Sequence, residues 1–436
     1  MHGAGIRTLK GRQVWDSRGR PTVEVEVVLA SGATGRAIAP SGASTGRREA
    51  LDLRDGGARL GGYGVNRALA GVNGEIAARL TGMDAADQSA IDRALIDLDG
   101  TPQKQRLGGN ACVAVSAAVA WAAAAHAGVP FWSHLRRLAA LPDTPHIPAP
   151  MIQIFGGGAH AGQRVDIQDF LVIPMRAKSF AEAVEWTAEV YMAATSLMKS
   201  ERSLAGVSDE GGLWPDFARN EDALDTLTRA IESAGFAAGT DVGIALDVAA
   251  SDFFSERGYT LRLDRSWLTG DEMIELLSAW CKRYPIVSLE DPLAEDDDAG
   301  FAEITRRLGA AIQVVGDDYL TTNPERIRHA AGLGACNAVL LKANQCGTIT
   351  ELIAASAEAR SLGWNTIMSG RSGESEDVTL SHLAVGLMSD QIKVGSVTRS
   401  ERTAKWNEVI RIEEGTAPGA YWQFRVPSSP TPAHNR

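Results

Sequence analysis

Residues 22–29 alternate between apolar and polar side chains, with Val23, Val25 and Val27 on one face. A period of two is typical of an antiparallel strand that has one face in the core. A Gly/Ser-rich stretch at 40–46 follows, and then come helical patterns near 65–80, 85–98 and 110–127. Strands followed by helices indicate an α+β domain, which we assign to residues 1–140.

After residue 140 the pattern changes to short β-branched runs that alternate with helical segments. A proline-punctuated run at 141–150 marks the boundary. Six later runs end at a polar, charged or glycine residue: 242–247, 286–290, 312–317, 338–342, 366–370 and 392–393. Their end points lie 23 to 43 residues apart, which is enough for a strand, a helix and two loops. This spacing predicts a parallel β/α barrel over 141–426, followed by a disordered tail at 427–436.

One segment, 111–129, is apolar over nearly nineteen residues. Ser116 and His126 interrupt it, and Gly128 and Pro130 end it, so we interpret it as a buried helix and not as a membrane span. The first residues contain no charged and apolar leader, so no secretory signal is expected.

The amino-acid composition restricts the classes of partner that the protein can be expected to bind. The 436 residues include 43 Lys and Arg against 54 Asp and Glu, a net charge of −11, which would repel a nucleic-acid backbone. The four cysteines form no Cys-x-x-Cys pair, which argues against a structural zinc site or a disulfide framework. We therefore expect a cytoplasmic protein with no nucleic-acid or membrane partner.

Three carboxylates end successive predicted strands: Asp247, Glu290 and Asp317. The carboxyl ends of barrel strands meet at one end of the barrel, where such a cluster would bind a hard divalent cation, with Mg²⁺ the first candidate. Separate surface acids or helix caps are the alternative. Lys342 and Lys393 end two further strands, and each could act as a base, bind a substrate carboxylate or balance the nearby acids.

Three loops contribute further candidates. Glu210 lies in the glycine-flanked loop 208–212 and could transfer a proton. His160 lies in the glycine-rich loop 156–162, although a single histidine is more often structural. Arg371 and Ser372 offer a guanidinium and a hydroxyl suited to a phosphate, or an ion pair for the arginine.

With these motifs in order, the chain resembles the enolase family from about residue 8 to 414. The motifs are Trp-Asp-Ser-Arg-Gly at 15–19 with Pro-Thr-Val-Glu-Val at 21–25, Ser-Gly-Ala-Ser-Thr-Gly at 41–46, Asp-Glu-Gly-Gly at 209–212, Asp-Val-Ala-Ala-Ser at 247–251, Ser-Leu-Glu-Asp-Pro at 288–292, Gly-Asp-Asp at 316–318 and Leu-Lys-Ala-Asn-Gln at 341–345. The resemblance implies an N-terminal α+β cap on a modified (β/α)8 TIM barrel, a homodimer, two Mg²⁺ ions, and dehydration of 2-phosphoglycerate to phosphoenolpyruvate.

The resemblance also implies a role for each candidate. Lys342 would take the C2 proton, and Glu210 would protonate the departing C3 hydroxyl. The metal ligands would be Asp247, Glu290 and Asp317 for the first ion and Ser44 for the second. The substrate would be bound by Lys393 at its carboxylate and by Arg371 and Ser372 at its phosphate, with His160 closing over it.

Two departures from the family pattern lie in the site. Gly370 stands where the family has His before Arg-Ser-Gly, and Asp169 stands where it has a longer Glu. Gly156, Ser208 and the pair 213–214 differ nearby. These changes suggest a dehydratase for a modified 2-phosphoglycerate, such as the enzyme that forms carboxyphosphonoenolpyruvate in phosphinothricin-type antibiotic pathways. A glycolytic enolase and a non-catalytic scaffold of the same fold are the alternatives.

Overall fold

The computed structural model describes residues 3–43, 45–255, 258–417 and 419–427. Two sequence-based predictions therefore lie outside the described residues: the metal ligand Ser44 and, from 428 onward, the tail.

The N-terminal part is an antiparallel sheet covered by helices. Its strands β1 (Ile6–Trp15), β2 (Pro21–Leu29) and β3 (Thr34–Ile38) pair in chain order. Its helices are α1 (Asn66–Gly71), a π-helical turn (Val72–Ile76), α2 (Ala77–Leu80), α3 (Gln88–Asp99), α4 (Gly109–Ala127) and α5 (Phe131–Leu138), preceded by a 3-10 turn (Arg59–Gly62). The predicted α+β arrangement is confirmed.

Helix α4 is the centre of this part. It packs on β2 and β3, where a Cβ at Gly35 would lie 2.2 Å from the carbonyl oxygen of Ala118, so glycine is needed for the close approach. Within the described residues it is the one helix long and apolar enough to suit a membrane, yet it is mostly buried inside the protein. The prediction of a buried helix is confirmed.

The second part is a closed barrel of eight strands. These are β4 (Ala149–Gly156), β5 (Asp169–Pro174), β8 (Val242–Asp247), β12 (Ile286–Glu290), β13 (Gln313–Gly316), β14 (Ala338–Leu341), β15 (Asn365–Ser369) and β16 (Gln391–Gly395). They follow one another in that order, and β16 closes on β4. Strand β5 runs antiparallel to both neighbours and the other pairs are parallel, so this is a modified barrel.

Helices surround the barrel, and short strands decorate it. The helices are α6 (Phe180–Glu201), α7 (Asn220–Ser233), α8 (Gly270–Arg283), α9 (Asp298–Leu308), α10 (Pro324–Leu333), α11 (Ala343–Cys346), α12 (Ile349–Ser361), α13 (Thr379–Gly386) and α14 (Ser400–Glu414). A hairpin, β6 (Leu204–Val207) and β7 (Leu213–Pro215), extends the sheet beside β4, and β9 (Phe254–Ser255), β10 (Gly258–Leu261) and β11 (Ser266–Leu268) form a separate sheet. Two 3-10 turns span Gly158–Ala161 and Ala250–Phe253.

Apolar side chains fill the barrel interior away from the carboxyl ends of the strands, and the interior is open at those ends. A buried apolar cluster that includes Met151, Leu171, Val315 and Leu340 packs with Phe424 from the C-terminal segment. The predicted strands 242–247 and 286–290 match β8 and β12 residue for residue, whereas Asp317, Lys342 and Gly370 each come directly after their strand. Strand β16 continues past Lys393 to Gly395, so this lysine lies inside a strand and not at its end.

Candidate active site

A cavity at the carboxyl end of the barrel strands collects most of the predicted site residues. Its lining includes His160, Asp169, Glu210, Asp247, Lys342, Gly370, Arg371, Ser372 and Lys393, together with Ala43, Gln168, Ser369 and Val394. The two remaining described candidates, Glu290 and Asp317, are hydrogen-bonded to the two lysines of this lining. The structure therefore brings all the described candidates together.

Lys393 lies between two of the predicted metal ligands. Its Nζ is 2.7 Å from Asp247 Oδ2 and 2.8 Å from each carboxylate oxygen of Glu290. Burial and the charge of Asp247 raise the pKa of Glu290 well above its usual range. Burial lowers the pKa of Lys393, but Asp247 and Glu290 outweigh it, so that pKa is raised well above the usual range. Two buried carboxyl groups therefore share one ammonium group at this corner of the site.

Lys342 and Asp317 form the second ion pair of the site. The Lys342 ammonium donates to Asp317 Oδ2, and Gln345 Nε2 donates to Asp317 Oδ1 at 2.9 Å. Burial opposes ionisation of Asp317, yet Lys342 lowers its pKa below the usual value. In turn, burial lowers the pKa of Lys342, and the charge of Asp317 more than compensates and raises it.

The donor set fits a magnesium ion. Asp247, Glu290 and Asp317 are nearly fully buried, and they offer only carboxylate oxygens, which are the ligands that hard divalent cations prefer. The structure gives these three carboxylates two lysine ammonium groups. A charge deficit of this kind, at low dielectric, is what a divalent cation relieves.

A second acidic group adjoins the first and orients it. Carboxylate oxygens of Asp291, Asp317 and Asp318 lie within 4.8 Å of one another. Asp291 accepts the backbone N–H groups of Asp317 at 2.9 Å and Asp318 at 2.7 Å, so its carboxylate fixes the loop after β13. Burial and Asp317 raise the pKa of Asp318 to about 8.

The opposite wall of the cavity carries the predicted acid. His160 Nδ1 lies 3.0 Å from Asp169 Oδ1, and His160 Nε2 lies 3.9 Å from Glu210 Oε1. Burial lowers the pKa of His160, but the carboxylates of Glu210 and Asp169 outweigh it and raise the value to about 9. Burial raises the pKa of Asp169, and His160 more than reverses this, so the net shift is downward. A charged imidazolium therefore lies between two carboxylates.

Arg371 and Ser372 occupy the third wall. Arg371 donates to both carboxylate oxygens of Glu49, at 2.8 and 3.3 Å, and to Asn344 Oδ1 at 3.1 Å. Burial lowers the pKa of Arg371, but Glu49 outweighs it and raises the value, so the group stays charged. Fully buried Arg402 donates to the carbonyl oxygens of residues 371 and 394 and so fixes this loop on β16.

Gly370 is more crowded than its lack of a side chain suggests. A Cβ at this position would lie 3.1 Å from Glu374 Oε1 and 3.3 Å from Leu380 Cδ2. Glu374 in turn accepts the backbone N–H of Arg371 at 3.0 Å. A separate, mainly apolar cavity begins beyond Glu374, Leu380 and Ser369. Gly370 therefore borders the active-site cavity, while Glu374 and Leu380 separate it from the second cavity.

Sequence reasoning missed several residues that hold the site. Glu49 and Arg402 belong to no motif that we recognised, and only the fold places them beside Arg371. Gln153 is fully buried on β4 and is bonded to Asp169, and nothing in its local sequence marked it. Gln345 lies in the Leu-Lys-Ala-Asn-Gln motif, but only the fold shows that it donates to Asp317.

Comparison with known proteins decides the family. A sequence model described as the N-terminal domain of enolase matches residues 6–135, and one described as the C-terminal TIM barrel domain of enolase matches residues 144–426. A protein named Enolase 1 from Desulfitobacterium hafniense (strain Y51) is 49% identical over 423 residues, which cover 96% of each chain.

The chain belongs to the enolase family.

Membership confirms the fold that the motifs implied and the enzyme class, a hydro-lyase of the phosphopyruvate hydratase type. In TIM-barrel enzymes generally the active site lies at the carboxyl end of the strands, which is the end where this cavity lies. Enolases act on small phosphorylated carboxylates and generally use Mg²⁺, and the buried carboxylates described above are compatible with that ion.

Proposed function

We propose that this protein dehydrates 2-phosphoglycerate to phosphoenolpyruvate. The observation that supports this most is that Lys342 and Glu210 line the same cavity. The buried acids Asp247, Glu290 and Asp317 lie beside the two lysines at the bottom of this cavity. The hypothesis of a modified substrate is less well supported, because the relative described above carries the name Enolase 1 at 49% identity.

The difficult step is the loss of the C2 proton, because it places a second negative charge next to a carboxylate. Asp247, Glu290 and Asp317 are the proposed magnesium ligands, and Ser44 is the proposed ligand of a second ion. Bound there, Mg²⁺ would stabilise the charge that develops on the substrate carboxylate. Lys393 binds that same carboxylate by its ammonium group.

Lys342 is the proposed base. Asp317 stabilises its protonated form, so engagement of the Asp317 carboxylate by a cation weakens that effect, and burial then favours the neutral amine. Glu210, once it has taken a proton from solvent, would deliver that proton to the departing C3 hydroxyl, while Arg371 and Ser372 would bind the phosphate. His160, Asp169 and Glu210 form one wall of the cavity, which we call the acid wall. The charged His160 adds a positive group to this wall.

The test is turnover of 2-phosphoglycerate by the purified protein with MgCl₂, followed by the absorbance of phosphoenolpyruvate. We expect turnover within the ordinary enzyme range of about 1–10³ s⁻¹, and loss of activity with EDTA. Turnover more than about 10³-fold below this range, with Mg²⁺ present, would contradict the proposal.

A modified 2-phosphoglycerate, as in the formation of carboxyphosphonoenolpyruvate for antibiotic biosynthesis, is the second candidate. It is favoured by Asp169 and Gly370, both of which line the cavity where the family has larger side chains. Under this candidate, Gly370→His raises turnover of 2-phosphoglycerate. Because a Cβ at 370 would crowd Glu374 and Leu380, we expect the substitution to lower it instead.

We also propose a cytoplasmic homodimer. The resemblance to the enolase family supports the dimer. The absence of a Cys-x-x-Cys pair supports the cytoplasmic location. Light scattering on the purified protein tests the dimer. A non-catalytic scaffold would show neither turnover nor exchange of the C2 proton with deuterium.

A further inference from the structure

The amide of Gln153 connects the two halves of the acid wall. Gln153 is fully buried on β4. Its Nε2 donates to Asp169 Oδ1, and its Oε1 accepts the backbone N–H of Gly212 at 2.9 Å and the hydroxyl of Ser208 at 3.2 Å. One side chain thus joins the strand that carries Asp169 to the loop that carries Glu210.

Asp169 passes this constraint on to the imidazole. The oxygen that accepts from Gln153, Oδ1, is also the one that faces His160 Nδ1 at 3.0 Å. Two donors on one oxygen fix the direction of the carboxylate, and the carboxylate fixes the ring, whose Nε2 faces Glu210. The separation of His160 and Glu210 therefore depends on a chain of contacts that runs through Gln153.

The surrounding backbone is shaped to this amide. A Cβ at Gly212 would lie 2.3 Å from Gln153 Oε1, so only glycine allows the loop to come this close. A Cβ at Gly156 would lie 2.4 Å from Ser208 Oγ, so Ser208 occupies the space that a side chain at 156 would need. Asp169, Gly156 and Ser208 are three of the departures from the enolase pattern, and all three lie around Gln153.

We propose that Gln153 is the positioning residue of the acid wall: its amide sets the placement of Asp169 and His160 relative to the Glu210 loop, and the residues at 156, 169 and 208 are matched to its length. This inference rests on the proposed function, in which Glu210 protonates the leaving hydroxyl. Gln153 acts through its neighbours and does not touch the substrate.

The two halves of the reaction separate a positioning role from a structural one. Exchange of the C2 proton with deuterium needs Lys342 but not Glu210, whereas dehydration needs both. With 2-phosphoglycerate and Mg²⁺, Gln153→Met should lower dehydration by about 10–100-fold and leave exchange within about threefold, because misplacement of about 1 Å at a reacting group has effects of this order.

Gln313 provides the matched control. It is also a fully buried glutamine on a barrel strand, with Nε2 bonded to Ser288 Oγ at 3.0 Å and Oε1 bonded to Asn365 Nδ2 at 2.9 Å, but it begins β13 at the opposite end of the barrel. Gln313→Met should lower the melting temperature and leave both rates within about threefold. Equal losses of dehydration and exchange in Gln153→Met, or equal effects of the two variants, overturn the proposal.

Changing the side-chain lengths at positions 153 and 169 tests directly whether the two residues are matched. Gln153→Asn shortens the amide by one methylene and should lower dehydration by about tenfold. The double variant Gln153→Asn with Asp169→Glu returns the methylene on the side of residue 169 but not on the side of Gly212 and Ser208, so dehydration should rise above that of Gln153→Asn without reaching that of the original chain. Absence of recovery contradicts the matching, and this pair of variants also carries the test if Gln153→Met does not fold.

The wild-type protein separates the two hypotheses. If it shows neither exchange nor dehydration, the proposed function fails and the inference falls with it. If it shows both and Gln153→Met dehydrates at the same rate, the proposed function stands and the role of Gln153 is refuted.

Discussion

The two walls of the candidate active-site cavity are built in different ways. On the base wall, Asp247, Glu290, Asp317 and Lys342 lie at or directly after the carboxyl ends of barrel strands, and Lys393 lies within β16, two residues before its end. On the acid wall, His160 and Glu210 lie on loops, and their positions depend on hydrogen bonds to Asp169 and Gln153. The barrel itself places the first set, and side-chain contacts place the second.

The difference teaches where substrate choice can change. A strand end cannot move without the barrel, so the proposed base and metal positions are constrained by the fold. A loop that is held by a few side-chain amides can be shifted by lengthening one side chain and shortening its neighbour by a methylene group. The departures at 156, 169 and 208 surround Gln153 and follow this division, whereas Gly370 directly follows β15 and does not. The following predictions test it, from the largest effect to the smallest.

Removal of the base should have the largest effect. We expect Lys342→Ala to lower turnover of 2-phosphoglycerate by about 10⁴-fold and to abolish exchange of the C2 proton, because it removes the proposed base and leaves Lys393, whose ammonium group is held by Asp247 and Glu290. The exposed Lys199 on α6 is the control, and Lys199→Ala should change neither rate. Retained exchange in Lys342→Ala would assign the base elsewhere.

Neutralising the acid should affect only one half of the reaction. Glu210→Gln keeps the shape of the side chain but removes its proton, so dehydration should fall by about 10²–10³-fold while exchange continues. Both rates are measured on one sample in deuterium oxide. If exchange falls in parallel with dehydration, the two walls do not act separately.

The acid wall should also contribute stability that depends on pH. His160 has a raised pKa of about 9 in the folded chain against 6.5 in the unfolded chain, so its contribution is complete below pH 6.5 and is lost as the pH rises to about 9. We expect the difference in unfolding free energy between the original chain and His160→Gln to be about 3 kcal/mol larger at pH 6 than at pH 10.

Urea unfolding in EDTA at the two pH values measures this difference. A difference that is independent of pH would show that the imidazole is not charged in the folded protein.

The smallest expected effect concerns the crowding at Gly370. Gly370→Ala should lower the free energy of unfolding by about 1–2 kcal/mol, because the new methyl group would lie 3.1 Å from Glu374 Oε1. Gly332 is the control, because it is exposed on α10 and an added Cβ there would have no neighbouring atom within 4 Å. Gly332→Ala should stabilise the protein by about 0.5–1 kcal/mol. Stabilisation by both substitutions would show that the space at 370 is open.

Hydrophobic spacing was sufficient for the barrel strands on the base wall. Strands β8 and β12 match their predicted bounds, and the carboxylates that follow buried runs were recognisable because parallel strands share one carboxyl end. The antiparallel β5 was not among the predicted strands, and a run of buried residues does not record the direction in which a strand pairs. Only the resemblance to enolases indicated that the barrel is modified.

Sequence alone determined the fold class, the buried helix α4, the family and the residues that carry charge at strand ends. These depend on local periodicity and on motifs made of consecutive residues. Tertiary structure alone decided that Gln153 joins Asp169 to the Glu210 loop, that Glu49 pairs with Arg371 322 positions away, and that Gly370 faces Glu374. Contacts between distant segments depend on how strands and loops are brought together in space, and no local pattern records that arrangement.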